Sequence, residues 1–307
     1  MSGHPQGWSR LVSVSFIGRR FIGVYRQFAG GLYDLQIRPT YRGRVGQPRT
    51  IFAVGVGEVF ITAGQSNATN SGDPTGFLPD LRVSAFDSGS GNGLGPGFPL
   101  ARWRWGYDPQ PVFDRSNGGS VWPKMASNLA AATGLPIGIY SIGQGSTAIA
   151  EWQPGHPLYD RLTTALIYFK YRGGVRAVLW DQGETDTGLH TNPAVYEAQL
   201  RRLIAQSRMV AGVPVKWMVA QAAGFSESNA SLRMALRQAQ ANVVDGELTF
   251  GGPNTDLLGF PYRKASPLNP AIFPHFNSQG VLLLGSLWGI SIFNTPGFLD
   301  QGALPVR

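Results

Sequence analysis

A serine raised on a glycine turn at the end of an apolar strand, and a histidine just ahead of a long apolar helix, could together carry out acyl transfer. The serine is Ser66, in Val59-Phe60-Ile61-Thr62-Ala63-Gly64-Gln65-Ser66-Asn67. Acyl transfer needs a hydroxyl nucleophile, a base to take its proton and donors for the developing oxyanion. Four histidines could supply the base, at positions 4, 156, 190 and 275. His4 lies in the terminal segment, His156 in Pro-Gly-His-Pro and His190 in a loop, settings that read as surface positions. His275, in Phe273-Pro274-His275-Phe276-Asn277, stands between the last strand and the last helix, where a base can reach back over a sheet. Taken singly, Ser66 reads equally as a helix cap and His275 as a loop histidine bonded to backbone. Only the pair points to chemistry.

Two other strand ends carry residues of the same kind. One is Ile142-Gly143-Gln144-Gly145-Ser146-Thr147, followed by Glu151-Trp152; the other is Asp181-Gln182-Gly183-Glu184-Thr185-Asp186. If the strands are parallel, all these ends lie at the carboxyl edge of one sheet, where open α/β sheets bind ligands. Glu184 and Asp186 are neighbours on one segment and do not face each other across a cleft, so a two-carboxylate glycosidase is not expected. No histidine has a carboxylate or a second histidine at ligand spacing, so no metal is expected.

The elements that must position these residues follow from periodicity. Strands are expected at Val59–Ala63, Pro136–Ser141, Val175–Trp180, Pro214–Ala220 and Glu247–Phe250. Helices are expected near Val121–Thr133, Leu158–Tyr171, Pro193–Met209, Glu227–Val243 and Ser278–Phe293. Their alternation argues for right-handed βαβ units: a three-layer α/β/α sandwich around a mostly parallel sheet of about five strands. Residues 1–57 read as a small antiparallel β appendage, with Val12, Val14 and Phe16 alternating with serines and Leu35 and Ile37 alternating with Gln36 and Arg38. Residues 58–307 form the main domain. Residues 67–123 are mostly loop, with Leu81–Phe86 as their one good strand. Glycines at 89, 91, 93, 95 and 97 imitate a dinucleotide fingerprint, but no strand runs into them and no helix follows.

Composition narrows the class further. Of 307 residues 43% are hydrophobic, enough for a large core, and 41 glycines with 22 prolines imply long structured loops. There is no cysteine, which excludes disulfides, thiolate metal sites and cysteine nucleophiles. The net charge is +8, but the arginines are scattered, so nucleic acid is not an expected partner. No apolar run reaches the roughly 20 residues that span a membrane. The first residues lack a basic stretch followed by an apolar core, so no signal peptide is expected, and the compartment and oligomeric state stay open.

Gly64-Gln65-Ser66-Asn67, Gly145-Ser146-Thr147 with Glu151-Trp152, Gln182-Gly183-Glu184-Thr185-Asp186 and His275-Phe276 resemble, in order and spacing, the blocks of the SGNH (GDSL-like) hydrolases. The branch they resemble is that of sialate O-acetylesterases and carbohydrate esterase family 6, over roughly residues 55–290. The resemblance implies a flavodoxin-like three-layer fold and two-step ester hydrolysis without cofactor, with small acyl groups, acetyl above all, removed from carbohydrate. It makes Ser66 the nucleophile and His275 the general base. The N–H groups of Ser66 and Gly145 and the Gln182 side-chain amide become oxyanion donors. Asn67 either fixes the turn or is a plain cap.

One position departs from the family. Its usual aspartate, three residues before the histidine, is here Ile272. Three outcomes are open: a Ser-His dyad oriented by a backbone carbonyl, a substitute acid at Asp256 or Glu184, or a relic that binds carbohydrate without catalysis. In a serine protease, loss of the acid's role costs about 10⁴ in kcat. Trp103, Trp105 and Trp152 are candidate sugar platforms, with packing of the long loop as the alternative. A short-chain or aryl esterase without sugar preference is a further reading.

Overall fold

A computed structural model describes residues 14–17, 20–23, 30–88, 101–224, 229–264 and 274–299. The chain divides into two compact units, Met1–Val56 and Gly57–Arg307. In the first, β1 (Val14–Ile17) pairs antiparallel with β2 (Arg20–Gly23). β3 (Gly31–Ile37) pairs antiparallel with β6 (Arg49–Val56), and β4 (Thr40–Tyr41) and β5 (Arg44–Val45) form a short hairpin between them. Its turn needs Arg42 and Gly43 at φ 48° and 75°, where a glycine is the natural occupant. Burial alternates along β3, with Leu35 and Ile37 half-buried and Gln36 exposed, as the sequence alternation requires. Val12 lies outside the described residues.

The second unit is built on seven strands: β7 (Glu58–Gly64), β8 (Val83–Asp87), β9 (Arg102–Trp105), β10 (Ile137–Ser141), β11 (Ala177–Asp181), β12 (Lys216–Gln221) and β13 (Thr249–Asn254). Their order is β13-β12-β11-β7-β10-β8-β9, all parallel except β9, which runs antiparallel to β8. The sheet therefore exceeds the expected five strands. Val83–Asp87 adds to β10, and Arg102–Trp105 closes the edge. That last strand is exposed along its whole length, which hid it from any burial periodicity.

Helices cover both faces. α1 (Trp122–Thr133) and α6 (Ser278–Asn294) bury Trp122, Met125, Leu284 and Trp288 against Phe60, Ile139, Leu179 and Met218. On the other face α2 (Pro157–Lys170), α4 (Pro193–Ala211) and α5 (Ala230–Asn242) bury Leu162, Tyr196, Leu200 and Leu236 against Ile61, Tyr140, Val178 and Trp217. Phe60 and Ile61, adjacent in sequence, thus serve opposite layers. A strand covered on both sides has to read as an unbroken apolar run. The ends are marked locally: Asn192 Oδ1 accepts the Ala194 N–H with Pro193 at the first turn of α4, and Gly212 closes it at φ 63°. The glycines at 89–97 lie outside the described residues. Among the described residues no helix is long and apolar enough to cross a membrane.

Strand order reverses around β7. The chain goes from β7 outward to β8, returns to β10, then crosses to β11 on the other side. The carboxyl ends of β7, β10 and β11 meet at that switch point, which is where a doubly wound sheet opens a crevice. They carry the Ser66, Gly145 and Gln182 segments. A short α3 (Glu184–Gly188) follows β11, and the two-residue strands β14 (Arg263–Lys264) and β15 (His275–Phe276) pair antiparallel.

Candidate active site

β7 ends on Gly64 at φ 129°, and a Cβ there would stand 2.0 Å from the Asp181 carbonyl oxygen. Only glycine lets the chain leave the sheet so close to β11. The Gln65 N–H then donates to Asp181 O at 3.0 Å. Gln65 Oε1 accepts the N–H groups of Gly183 and Thr185 at 3.3 and 3.1 Å, capping the start of α3. Ser66 opens a single 3₁₀ turn, Ser66–Ala68, closed by the Thr69 N–H and hydroxyl on Ser66 O at 3.0 and 2.8 Å. Three residues cannot supply a helix dipole of any size, so the serine is held by turn bonds rather than by a helix end. It is 7% exposed.

Beside it is the turn after β10. The Gln144 N–H donates to Gly64 O at 3.0 Å, which ties this turn to the nucleophile strand. Ser146 follows at φ 60°, an unusual place for a serine. Arg161 supports the turn from α2: Nη1 donates to Ile142 O at 2.9 Å and the guanidinium lies 3.7 Å from the Phe113 ring centre. Burial lowers the Arg161 value to about 10, with Tyr140 and Asp114 opposing the fall. A Cβ added to Gly145 would be 4.0 Å from Ser66 Cβ and 3.8 Å from Asp114 Oδ2. Gly145 therefore adjoins the candidate nucleophile, and its N–H already donates to Asp114 Oδ2 at 3.2 Å.

Gln182 is fully buried. Its Nε2 meets Thr147 O at 3.0 Å and Asp186 Oδ2 at 2.5 Å, while Tyr196 donates its hydroxyl to Oε1 at 3.0 Å. Both amide hydrogens are thus engaged within the protein, so the expected third oxyanion donor is here a brace between two strand ends. Asp186 completes the brace by accepting the Ile149 N–H at 2.9 Å. Glu184 Oε1 accepts from Asn67 Nδ2 at 2.6 Å, and the same nitrogen donates to Pro274 O at 3.0 Å. Asn67 is more than a cap: it joins the residue after Ser66 to the residue before His275. Burial pushes the Glu184 carboxyl upward. It pushes Asp181 beneath it well above the carboxylate range, with the nearby Glu184 adding to the rise. Both shifts favour the neutral form of these buried carboxyls.

His275 is half-buried on β15. Burial, Lys264 and Arg263 push its imidazole down to about 4, and Asp73 pulls the other way. Asp73 donates its N–H to Phe276 O at 3.0 Å, and its Oδ1 accepts from Lys264 Nζ at 2.7 Å. Arg263, its side chain wholly buried, donates to Pro274 O at 3.1 Å and lies over the Phe276 ring at 4.1 Å. Ile272 lies outside the described residues. Asp256, weighed as a substitute acid, accepts the Ala223 and Gly224 N–H groups at 3.3 and 3.1 Å and pairs with Arg237. Glu184 is bound to Asn67. Among the described residues neither carboxylate is hydrogen-bonded to the His275 ring, whereas Asp73, which the sequence did not single out, adjoins its strand. Asp73 lies seven residues past Ser66 with no motif of its own, and Asp114 has no signal at all.

The tryptophans divide. Trp152 is 0% exposed, edge-on to Trp180 at 5.2 Å, with Nε1 on Thr147 Oγ1 at 3.2 Å; it is core and cannot be a sugar platform. Its apolar neighbours and its one satisfied N–H explain the burial. Trp103 packs on Phe86 and Phe169 at 5.2 and 5.8 Å while keeping one part exposed. Trp105 pairs with Ser84, toward the amino end of β8, and its ring lies tilted to that of Tyr107, centres 6.1 Å apart. Among the described residues no group of three or more potential ligands could hold a metal ion. His156 and His190 are exposed, and His190 Nε2 faces Asn229 Nδ2 at 3.2 Å.

Comparison with known proteins fits this arrangement. A probable carbohydrate esterase of Arabidopsis thaliana is 27% identical over 157 residues, 48% of this chain and 60% of that protein, so the match spans less than two thirds of the relative's length. The crystal structure of an Arabidopsis thaliana protein superposes with a TM-score of 0.59 at 20% identity, over 78% of this chain and 99% of the other. A carbohydrate acetylesterase of Xanthomonas citri gives 0.62 at 21% identity, over 90% and 63%. NanS gives 0.57 at 16%, over 77% and 96%. At these identities the structures establish a shared fold. Residues 56–250, from just before β7 into β13, match the family described as carbohydrate esterase, sialic acid-specific acetylesterase, and this chain belongs to that family.

Proposed function

We propose that the protein is a serine esterase that removes small acyl groups, acetyl above all, from carbohydrate. The observation that carries this reading is the Asn67 side chain. By holding Glu184 and Pro274 at once, it draws the Ser66 turn, the β11 end and the His275 strand to one point at the sheet edge. Family membership supports the substrate class.

In the first step Ser66 Oγ attacks the ester carbonyl carbon as His275 takes the hydroxyl proton. The carbonyl π electrons move to oxygen, where the Ser66 and Gly145 N–H groups stabilise the negative charge. The intermediate collapses, the bond to the sugar oxygen breaks, and His275 returns the proton to that oxygen so the alcohol leaves. Water, deprotonated by the same imidazole, then attacks the acyl-Ser66 carbon. Ser66 leaves as the alcohol again, and acetic acid is released. An imidazole held near 4 is neutral at pH 7 and so present as base. Asp73 is read as the anion that favours the imidazolium formed in each step. Gln182 acts as a brace, and Glu184 positions through Asn67.

A second reading, a short-chain esterase without sugar preference, draws support from Trp152, which lies in the core rather than in the cleft. One comparison tests the esterase itself: p-nitrophenyl acetate hydrolysis by wild type and by Ser66→Ala. The expected loss in the variant is about 10³-fold or more, with the far-UV spectrum unchanged. Turnover surviving in Ser66→Ala sinks the reading. With serine dependence established, rates on monoacetylated sugars against simple acetates separate the two substrate classes.

A further inference from the structure

Asp114 lies on the loop between β9 and α1, and its carboxylate is seated on the proposed oxyanion donor. Oδ2 accepts the Gly145 N–H at 3.2 Å, and Oδ1 accepts the N–H and hydroxyl of Ser116 at 3.0 and 2.7 Å. The point where a Gly145 Cβ would stand is 3.8 Å from Asp114 Oδ2 and 4.0 Å from Ser66 Cβ, so acid and serine border the same space. The loop is firmly placed. Phe113 donates its N–H to Ser141 O at 3.0 Å, and Asn70 donates to Ser116 Oγ and Ser116 O, both at 3.0 Å. Arg115 is held at φ 60°, a conformation that costs a non-glycine residue and persists only where its surroundings impose it. Arg161 directs its N–H groups to the turn itself, Nη1 to Ile142 O and Gly143 O and Nη2 to Gln144 Oε1.

A single N–H cannot serve a carboxylate and an oxyanion together, and two anions at this spacing in a partly dry site repel. The carboxylate has to leave Gly145 before the tetrahedral intermediate can use it. We infer that Asp114 is a specificity-determining residue, displaced from Gly145 by a hydroxyl group of the sugar adjacent to the ester. The hydroxyl donates a hydrogen bond to the carboxylate and compensates it for the lost N–H. Acetyl esters with a free neighbouring hydroxyl open the donor; esters without one leave it occupied. The selection is induced fit, and its source is a contact that only the correct substrate makes. The inference rests on the serine-esterase reading above and specifies the substrate within it.

The test uses a monoacetylated methyl glycoside with a free hydroxyl beside the ester, its analogue with that hydroxyl replaced by hydrogen, and p-nitrophenyl acetate. Wild type is expected to favour the hydroxyl-bearing glycoside in kcat/KM by about tenfold or more. In Asp114→Ala the preference collapses, chiefly because the deoxy analogue and the aryl acetate become faster. Asp114→Asn keeps an oxygen for Ser116 without the charge, so it retains the loop if the alanine variant does not fold, and its preference is expected to shrink as well. Equal wild-type rates on the two glycosides, a preference kept in both variants, or parallel losses on all three esters would each overturn the inference. Absence of Ser66-dependent turnover on every ester would instead remove the esterase reading, and this inference with it.

Discussion

The two sides of Ser66 are built differently. On the Gly145 side the backbone is fastened from several directions: Gln144 to Gly64, Arg161 to two carbonyls, Asp114 to Gly145 and to Ser116. On the His275 side the strand has two residues; it pairs with the equally short β14, Asn67 and Arg263 bond to Pro274 O, and Asp73 bonds to Phe276 O. In the proposed mechanism the fastened side carries what has to be placed before reaction, N–H dipoles that gain by fixed orientation. In the same mechanism the side built on the two-residue strand carries the group that receives a proton from the serine and gives it to a leaving group. A base can tolerate small adjustment; an oxyanion hole cannot.

Cutting the tie between the sides should have the largest effect. Asn67→Ala removes the link to Pro274 and leaves both oxygens of the buried Glu184 without partners, since Oε2 already lacks one. An orphaned buried acceptor costs about 1–3 kcal/mol, readable as a lower urea midpoint. Misplacing His275 should cost about 10²-fold in kcat on p-nitrophenyl acetate. An activity loss with no change in the midpoint would show that Glu184 does not depend on Asn67.

Filling the fastened side should have a smaller effect of a different kind. The contacts of an added Cβ at Gly145, 3.8 and 4.0 Å, are ordinary van der Waals distances. Gly145→Ala is therefore expected to keep stability within about 0.5 kcal/mol. It should lower kcat/KM by about tenfold, because the methyl enters the space bordering Ser66. A Gly145→Ala enzyme with full activity would place the substrate elsewhere.

The smallest effect concerns pH. Because the folded-state value of His275 is lowered to about 4, the base form persists well below neutrality. The acid limb of kcat/KM should then fall near pH 4 instead of near 6.5. The sign for stability is the same: between the two values the unfolded chain binds more protons than the native state. This contribution of His275 is therefore complete above about 6.5 and lost as pH falls through 4. Asp73 opposes the lowering, so Asp73→Asn should move the limb further down by a fraction of a unit. A limb that stays put in Asp73→Asn would remove Asp73 from the base's surroundings.

Much of the fold was legible because it is written in short-range periodicity. Unbroken apolar runs marked the five inner strands, and Asn192-Pro193 and Gly212 marked the ends of α4. Arg102–Trp105 escaped because an exposed edge strand has no buried face to impose a pattern. Ser66, Gly145 and His275 stood out by residue type at strand ends. Trp152 misled, since an indole beside a motif reads alike whether its ring is wet or packed on Trp180.

By itself, then, the sequence determined the succession of strands and helices along the chain and the motifs at the strand ends, since each depends on residues within a few turns of one another; that β7 is the switch point came from the strand order in the sheet. Only the tertiary structure decided which polar atoms there are free and which are taken. Asn67 meets Glu184 across 117 positions and Pro274 across 207, and Asp114 meets Gly145 across 31. Contacts at those separations leave no local pattern, because what brings the partners together is the packing of the whole sheet.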